Sequence, residues 1–281
     1  MIITGYLLSS IMGFVLGTIG AGGSILILPI LVYFIGVNPT LATSYSLVIV
    51  GLTALIGSLT YIKNKQINFS ITFIFAIPSL ITVYLTRRYF LPILPDNINL
   101  FDVFITKDLF IMVLFSFLMI LAATFMIKSK DVKNNTIINN PSFLNNIILI
   151  TEGIAVGFFT GIIGAGGGFL IIPALVLFTG LDMKAAIGSS LFIIFIKSFF
   201  GFVGDYQSGV TIDINILLGV LSFTSIGMII GIILSKKTKP SILKKCFGWF
   251  ILFAGFLIII KEILLWKLRV FMMRYHLLLV T

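Results

Sequence analysis

The sequence predicts an all-α polytopic membrane protein made of two homologous, inverted repeats of about five helical elements each, every repeat including a short glycine-broken half-helix. Three observations predict this fold class. Of the 281 residues 59% are hydrophobic and 10% charged, with a mean hydropathy of +1.21, whereas about a quarter of the residues in a soluble domain are charged. The apolar residues fall into runs of roughly 17 to 25 between short polar breaks, the length of a bilayer-spanning helix, not the alternating ten-residue segments of a membrane β-barrel. One stretch also occurs twice, GFVLGTIGAGGSILILPILVYFIG from Gly13 to Gly36 and GFFTGIIGAGGGFLIIPALVLFTG from Gly157 to Gly180, at a constant offset of 144, and 18 of the 35 positions from Gly13 to Leu47 match their counterparts.

Taken in order, the apolar elements of the first half are 3–19, 24–36, 41–61, 69–90 and 109–127, and those of the second are 147–163, 168–181, 186–204, 213–235 and 243–265. The chain divides accordingly into a first transmembrane repeat (1–127), a polar inter-repeat loop (128–146), a second repeat (147–265) and a basic, apolar tail (266–281). At 1.5 Å per residue, 24–36 and 168–181 are too short for about 30 Å of hydrocarbon, so both are expected to stop partway. The first element starts without a basic leader and reads as a helix, not a cleavable signal. The segment KSKDVKNNTIINNPSFLNN from Lys128 to Asn146 has the Asn, Ser, Lys and Pro content of a loop. Arg87 to Asp108 reads as a second polar break, mixing Arg87, Arg88 and Lys107 with Asp96, Asp102 and Asp108.

The net charge of +10 sits in loops and tail, where cytoplasmic retention of Lys and Arg explains it without a nucleic-acid partner. If all ten elements change sides, the loops near Lys63, Lys128, Lys184 and Lys236 share one face with 11 Lys and Arg, against 6 on the other. Fusing the first two elements of each repeat gives 8 and 9, which orients nothing. The bias therefore favours an odd number of side changes per repeat, and an odd repeat is inverted relative to its twin, as in many secondary transporters.

Catalytic constellations are absent from the sequence. The single histidine, His276, lies in the tail, and Cys246 is the only cysteine, so there is no metal-ligand spacing and no internal disulfide. No enzyme activity, cofactor or metal is expected. Glycines spaced by four, Gly13 and Gly17, Gly157 and Gly161, Gly227 and Gly231, fit closely packed helices. Packing does not account for Gly20, Gly22, Gly23 and Ser24, or for Gly164, Gly166, Gly167 and Gly168, where helix propensity collapses immediately before a short helix. A break at membrane depth must be buried in protein or face a cavity. The following helix start would then offer free amides and a positive dipole end to an anion. Lys197, inside SSLFIIFIKSFFGFVG, costs roughly 2.5 to 3.5 kcal/mol to insert and is either an anion counter-charge or a snorkelling side chain. Ser46 and Ser190, equivalent under the offset, either meet a substrate oxygen or tie helices together. Asp205 and Tyr206 are expected at a helix mouth, and Glu152 and Glu262 at interfaces.

The signature Gly17-Thr-Ile-Gly20-Ala-Gly22-Gly23-Ser24-Ile-Leu-Ile-Leu-Pro29-Ile-Leu31 and its copy Gly161-Ile-Ile-Gly164-Ala-Gly166-Gly167-Gly168-Phe-Leu-Ile-Ile-Pro173-Ala-Leu175 resemble those of the sulfite exporter TauE/SafE family of membrane permeases. The likeness extends through Leu265 and includes the serine-bearing helix after each signature and the turn at Gly209 to Asp213. It implies a secondary transporter of sulfite or another sulfur-containing or organosulfonate anion, working by alternating access in a bacterial inner membrane, with a proton or sodium ion as possible coupling partner. A non-transporting membrane scaffold or assembly factor and an anion channel are the alternatives; the oligomeric state is open. Two departures stand out: Ser24 faces Gly168 in the copy, and Pro78 to Arg88 lacks the glycine spacing of Gly227 and Gly231.

Overall fold

The computed structural model of the chain describes residues 2–100, 103–128, 143–164, 166–235 and 248–266. Cys246, His276 and nearly all of the predicted tail fall outside the described residues, as does most of the inter-repeat loop. Among the described residues ten helical elements follow in order. The first half holds α1 (Ile2–Ile19), α2 (Gly23–Ile35), α3 (Pro39–Lys63), α4 (Phe69–Ile93) and α5 (Lys107–Lys128). The second holds α6 (Phe143–Ile163), α7 (Gly168–Thr179), α8 (Met183–Gln207), α9 (Ile214–Ser235) and α10 (Gly248–Trp266). Seven of these are long and apolar enough to cross a membrane.

The boundaries follow from local chemistry. The short helices α2 and α7 are stopped by Gly36 and Gly180, both in the left-handed conformation that suits glycine at a helix C-terminus. Pro39 opens α3, and the Asp182 carboxylate accepts from the Ala185 amide to cap α8. Asn68 caps α4 in the same way through the Ile71 amide. Pro29 gives α2 an irregular course, from a 3-10 turn at Ala21–Leu26 to a π turn at Leu31–Ile35.

One predicted break is corrected. Arg87 and Arg88 lie inside α4, in a π turn at Thr86–Phe90 that carries the helix on to Ile93. An antiparallel hairpin, β1 (Asn97–Leu100) and β2 (Val103–Thr106), then pairs Asn97 with Thr106 and leads into α5. The polar composition of the segment concealed a helix end and a ladder whose strands are four residues each.

α3 and α8 form the centre. In each, 61% of the spanning window is buried, against 22% for α10. They run antiparallel: Gly51 abuts Ser198, Gly57 abuts Leu191 and Gly188 abuts Tyr61. The midpoint of the pairing falls near Thr53 and Lys197, which correspond under the offset of 144. Around this pair α1 packs on α9, and α6 packs on α4, so each half lends its first helix to the fourth helix of the other. A stripe of exposed side chains on α4, Phe69, Phe73, Ile77, Ile81 and Leu85, faces outward at helical spacing, as lipid contact requires.

The glycines spaced by four do pack helices. A Cβ on Gly13 or Gly17 would strike the backbone oxygens of Thr224 and Met228, and one on Gly227 or Gly231 those of Ser10 and Phe14. Backbone meets backbone here, so nothing can rotate away. In the other pair Gly161 meets only the Thr86 side chain, at 2.8 Å. Gly227→Ala is therefore expected to destabilise the protein by about 1–3 kcal/mol through overpacking, and Gly161→Ala by less. Thermal melting in detergent checks the order of the two.

Candidate functional site

Both glycine breaks turn the chain back toward the centre of the molecule. Gly20 lies under Ile187 on the first turns of α8, and Gly164 lies against the Thr43 carbonyl and the Ser46 hydroxyl on the first turns of α3. From those outer turns the chain runs inward. Gly23 packs on the Leu16 and Met12 backbone, and a Cβ on Gly166 would sit 2.6 Å from Val50, 3.3 Å from Ile194 and 3.6 Å from Ser24. Ser24 of the first break and Gly166 of the second therefore approach each other between α3 and α8. Gly22 lies in the 3-10 turn and Gly168 opens α7. The starts of α2 and α7 consequently meet near the middle of the long helices, and Ser24 is wholly buried there.

Gly166 and Gly167 have φ of 65° and 63°, values an L side chain adopts only at a cost of roughly 1–2 kcal/mol. This double left-handed turn leads into α7 beside Val50 and Ile194; the Leu170 amide already donates to the Gly167 carbonyl at 3.0 Å, and the helix itself supplies no acceptor for those of Gly168 and Phe169. Lys197 reaches the same point. Its Nζ donates to Thr160 Oγ1 at 3.0 Å and lies 2.8 Å from where a Gly167 Cβ would be, and its side chain is 1% exposed. Lys197 does not snorkel. Among the described residues the one ion pair is Arg87 with Asp205, so no described carboxylate pairs with the ammonium. A helix N-terminus repels a cation, yet here both converge. What the arrangement can do chemically is hold an anion, with one charged donor and the first backbone N–H groups of α7; the Thr160 hydroxyl, which donates to the Val156 carbonyl at 2.7 Å, holds the ammonium instead.

The two predicted serines part company. Ser46 Oγ lies 2.7 Å from the Gly164 carbonyl and 2.8 Å from that of Thr43, fastening α3 to the second break. Ser190 Oγ donates to the Ile187 carbonyl of its own helix at 2.8 Å. Ser46 thus positions the second break, whereas the bond Ser190 makes stays within α8, to the residue that packs on Gly20 of the first break.

Two features lay outside the sequence reading. Thr160 stands where the first copy has Leu16, just as Lys197 stands where it has Thr53; the paired departures from symmetry were the available signal. Asp205 does lie in the last turn of α8, beside the exposed Tyr206, but its side chain turns inward. It is 1% exposed and holds the wholly buried Arg87, with Nη1 to Oδ2 at 3.1 Å. This pair is asymmetric too, since Gly231 and Tyr61 occupy the corresponding positions. Glu262 accepts from the Tyr33 hydroxyl at 2.8 Å, while Lys261 lies over the Tyr33 ring at 3.6 Å, so α10 is pinned to α2.

Stacked apolar helices around a broken, electropositive centre define a multi-pass membrane transporter. The family model for the sulfite exporter TauE/SafE matches residues 6–258, and the chain belongs to that family. A membrane protein of Bacillus subtilis strain 168, named Probable membrane transporter protein YunE, is 30% identical over 229 residues, covering 71% of this chain and 77% of the relative. Probable membrane transporter protein MJ0441 of Methanocaldococcus jannaschii is 29% identical over 245 residues, covering 84% and 85%. A Probable membrane transporter protein of Xylella fastidiosa strain Temecula1 is 31% identical over 187 residues, covering 64% and 65%. No solved structure matches the chain.

Proposed function

We propose that this protein is a secondary transporter that moves a small oxyanion, sulfite or another sulfur-containing or organosulfonate anion, across a bacterial inner membrane. The observation that carries the reading is the Lys197 ammonium, buried beside the start of α7 with no carboxylate paired to it among the described residues. The anion binds between the starts of α2 and α7, held by Lys197 and the first-turn amides, with Thr160 orienting the ammonium.

Alternating access follows from the duplication. The repeats at 1–127 and 147–265 form two inverted units, an arrangement supported by the antiparallel contact of α3 and α8, which are equivalent under the offset. Because α1 packs on α9 and α6 on α4, the bodies that would rock about the Thr53 and Lys197 level are these exchanged pairs, each carrying helices of both repeats, and their motion would expose the centre to each face in turn.

The test is flux of radiolabelled sulfite into vesicles reconstituted with purified protein. Saturable uptake at carrier rates is expected, and Thr160→Val should raise the half-saturating concentration about tenfold by loosening the ammonium, a loss of some 1.4 kcal/mol. A conductance too fast to saturate would indicate a channel. Absence of flux for sulfite, thiosulfate, sulfonates and carboxylates alike would indicate a scaffold.

A further inference from the structure

The second buried cation is held in an unusual way. Arginine commonly meets a carboxylate with two nitrogens, one on each oxygen. Arg87 instead offers Asp205 a single nitrogen: Nη1 lies 3.1 Å from Oδ2 and 3.4 Å from Oδ1, and the same Nη1 reaches Thr43 Oγ1 at 2.9 Å and Ser44 Oγ at 3.5 Å. Nε and Nη2 have no partner among the described residues, although the side chain is 0% exposed. At the crowded end of the guanidinium the two hydrogens of Nη1 are shared among four acceptors. The edge formed by Nε and Nη2, the edge whose two parallel N–H groups match two oxygens of a carboxylate or sulfonate, is left empty.

Its location ties this edge to the centre. Thr43, which accepts from Arg87, presents its carbonyl to Gly164, where the second glycine break begins. That break ends at Gly167, beside the Lys197 ammonium. Lys197 and Asp205 lie about two turns apart on α8. Toward the opposite face, the positions equivalent to Arg87 and Asp205 are Gly231 and Tyr61, so nothing comparable stands there.

We propose that Arg87 is a second oxyanion site, offering its Nε and Nη2 edge to the transported anion on the side where α4 and α8 end, while Asp205 holds the guanidinium by its other end. The anion would pass between Arg87 and Lys197 along the glycine break. This inference rests on the transport reading above. The two cations differ in what they can hold: an ammonium takes any small anion, whereas the arginine edge favours one with two coplanar oxygens. The selection for oxyanions over halides then resides at Arg87.

Isothermal titration of purified full-length protein in detergent, with sodium sulfite and with sodium chloride, tests it. Lys197→Met removes the central ammonium and should leave weak sulfite binding with no response to chloride. Adding Arg87→Lys, which keeps the charge and loses the edge, should abolish that residual binding. Adding Asp205→Asn to Lys197→Met should tighten it about tenfold, because the guanidinium no longer shares its charge with a carboxylate; replacing both partners together, Arg87→Met with Asp205→Leu, should likewise abolish the residual binding and serves if Arg87→Lys does not fold. Sulfite binding by Lys197→Met that Arg87→Lys leaves intact, or that Asp205→Asn fails to strengthen, overturns the second site alone. So does a Lys197→Met protein that binds no sulfite while the wild type does. A wild-type protein that binds no sulfite overturns the transport reading and this inference together.

Discussion

Gly167→Ala is expected to reduce sulfite flux at least tenfold while the protein still inserts and runs as a single species on size exclusion. One methyl group has three effects here. At φ 63° it puts an L residue in the left-handed region, at roughly 1–2 kcal/mol. Its Cβ would overlap the Thr160 methyl, and it would come to 2.8 Å from the Lys197 Nζ. The Thr160 to Lys197 hydrogen bond at 3.0 Å cannot survive both contacts. Gly166→Leu should do the same from the other side, by driving Val50 away and separating the two breaks. Gly209→Ala separates the contributions. Gly209 has φ 84° but nothing within 4 Å of its Cβ position, so it carries the backbone strain without the crowding. Flux by Gly209→Ala near the wild-type level, with loss in Gly167→Ala, assigns the effect to the site. Wild-type flux in Gly167→Ala would remove the anion cradle.

Repetition made the fold legible. The apolar runs read at 41–61 and 186–204 lie within two 25-residue helices at the same register in both halves, Pro39–Lys63 and Met183–Gln207, whose starts are written in proline, asparagine and aspartate. The half-helices were legible from length alone. What the sequence concealed was polar chemistry that exists only across helices. Arg87 and Arg88 look like loop residues because two adjacent charges ordinarily end a span, and only the distant Asp205, 118 positions away, makes Arg87 tolerable inside one. Thr160 is an ordinary helix residue, bonded to the Val156 carbonyl at 2.7 Å, until Lys197 is folded against it. Periodicity reports which face of a helix is buried. It does not report which polar groups on two buried faces will meet.

Lys197→Met is expected to lower flux on the order of a hundredfold and, in anion-free buffer, to raise the melting temperature. The two signs together are the informative part. A methionine nearly matches the apolar length of lysine and leaves no charge, so the cost of burying an ammonium on one hydroxyl partner disappears; replacing such a group by an apolar one can gain about 1 kcal/mol or more. A lysine kept for packing or for tethering helices predicts the reverse: the variant would melt lower and, if it folded, would transport normally. Ligand linkage adds a second readout. A folded protein that binds sulfite gains about 2.7 kcal/mol at a hundred times its dissociation constant, so wild-type protein should melt higher as sulfite is added. Lys197→Met should lose most of that rise although it starts from a higher melting point. Lys197→Arg keeps the charge in a broader head that Gly167 and Thr160 leave little room for, and should retain part of the sulfite response while transporting slowly. Transport by Lys197→Met at the wild-type rate would leave the ammonium without a role in anion movement.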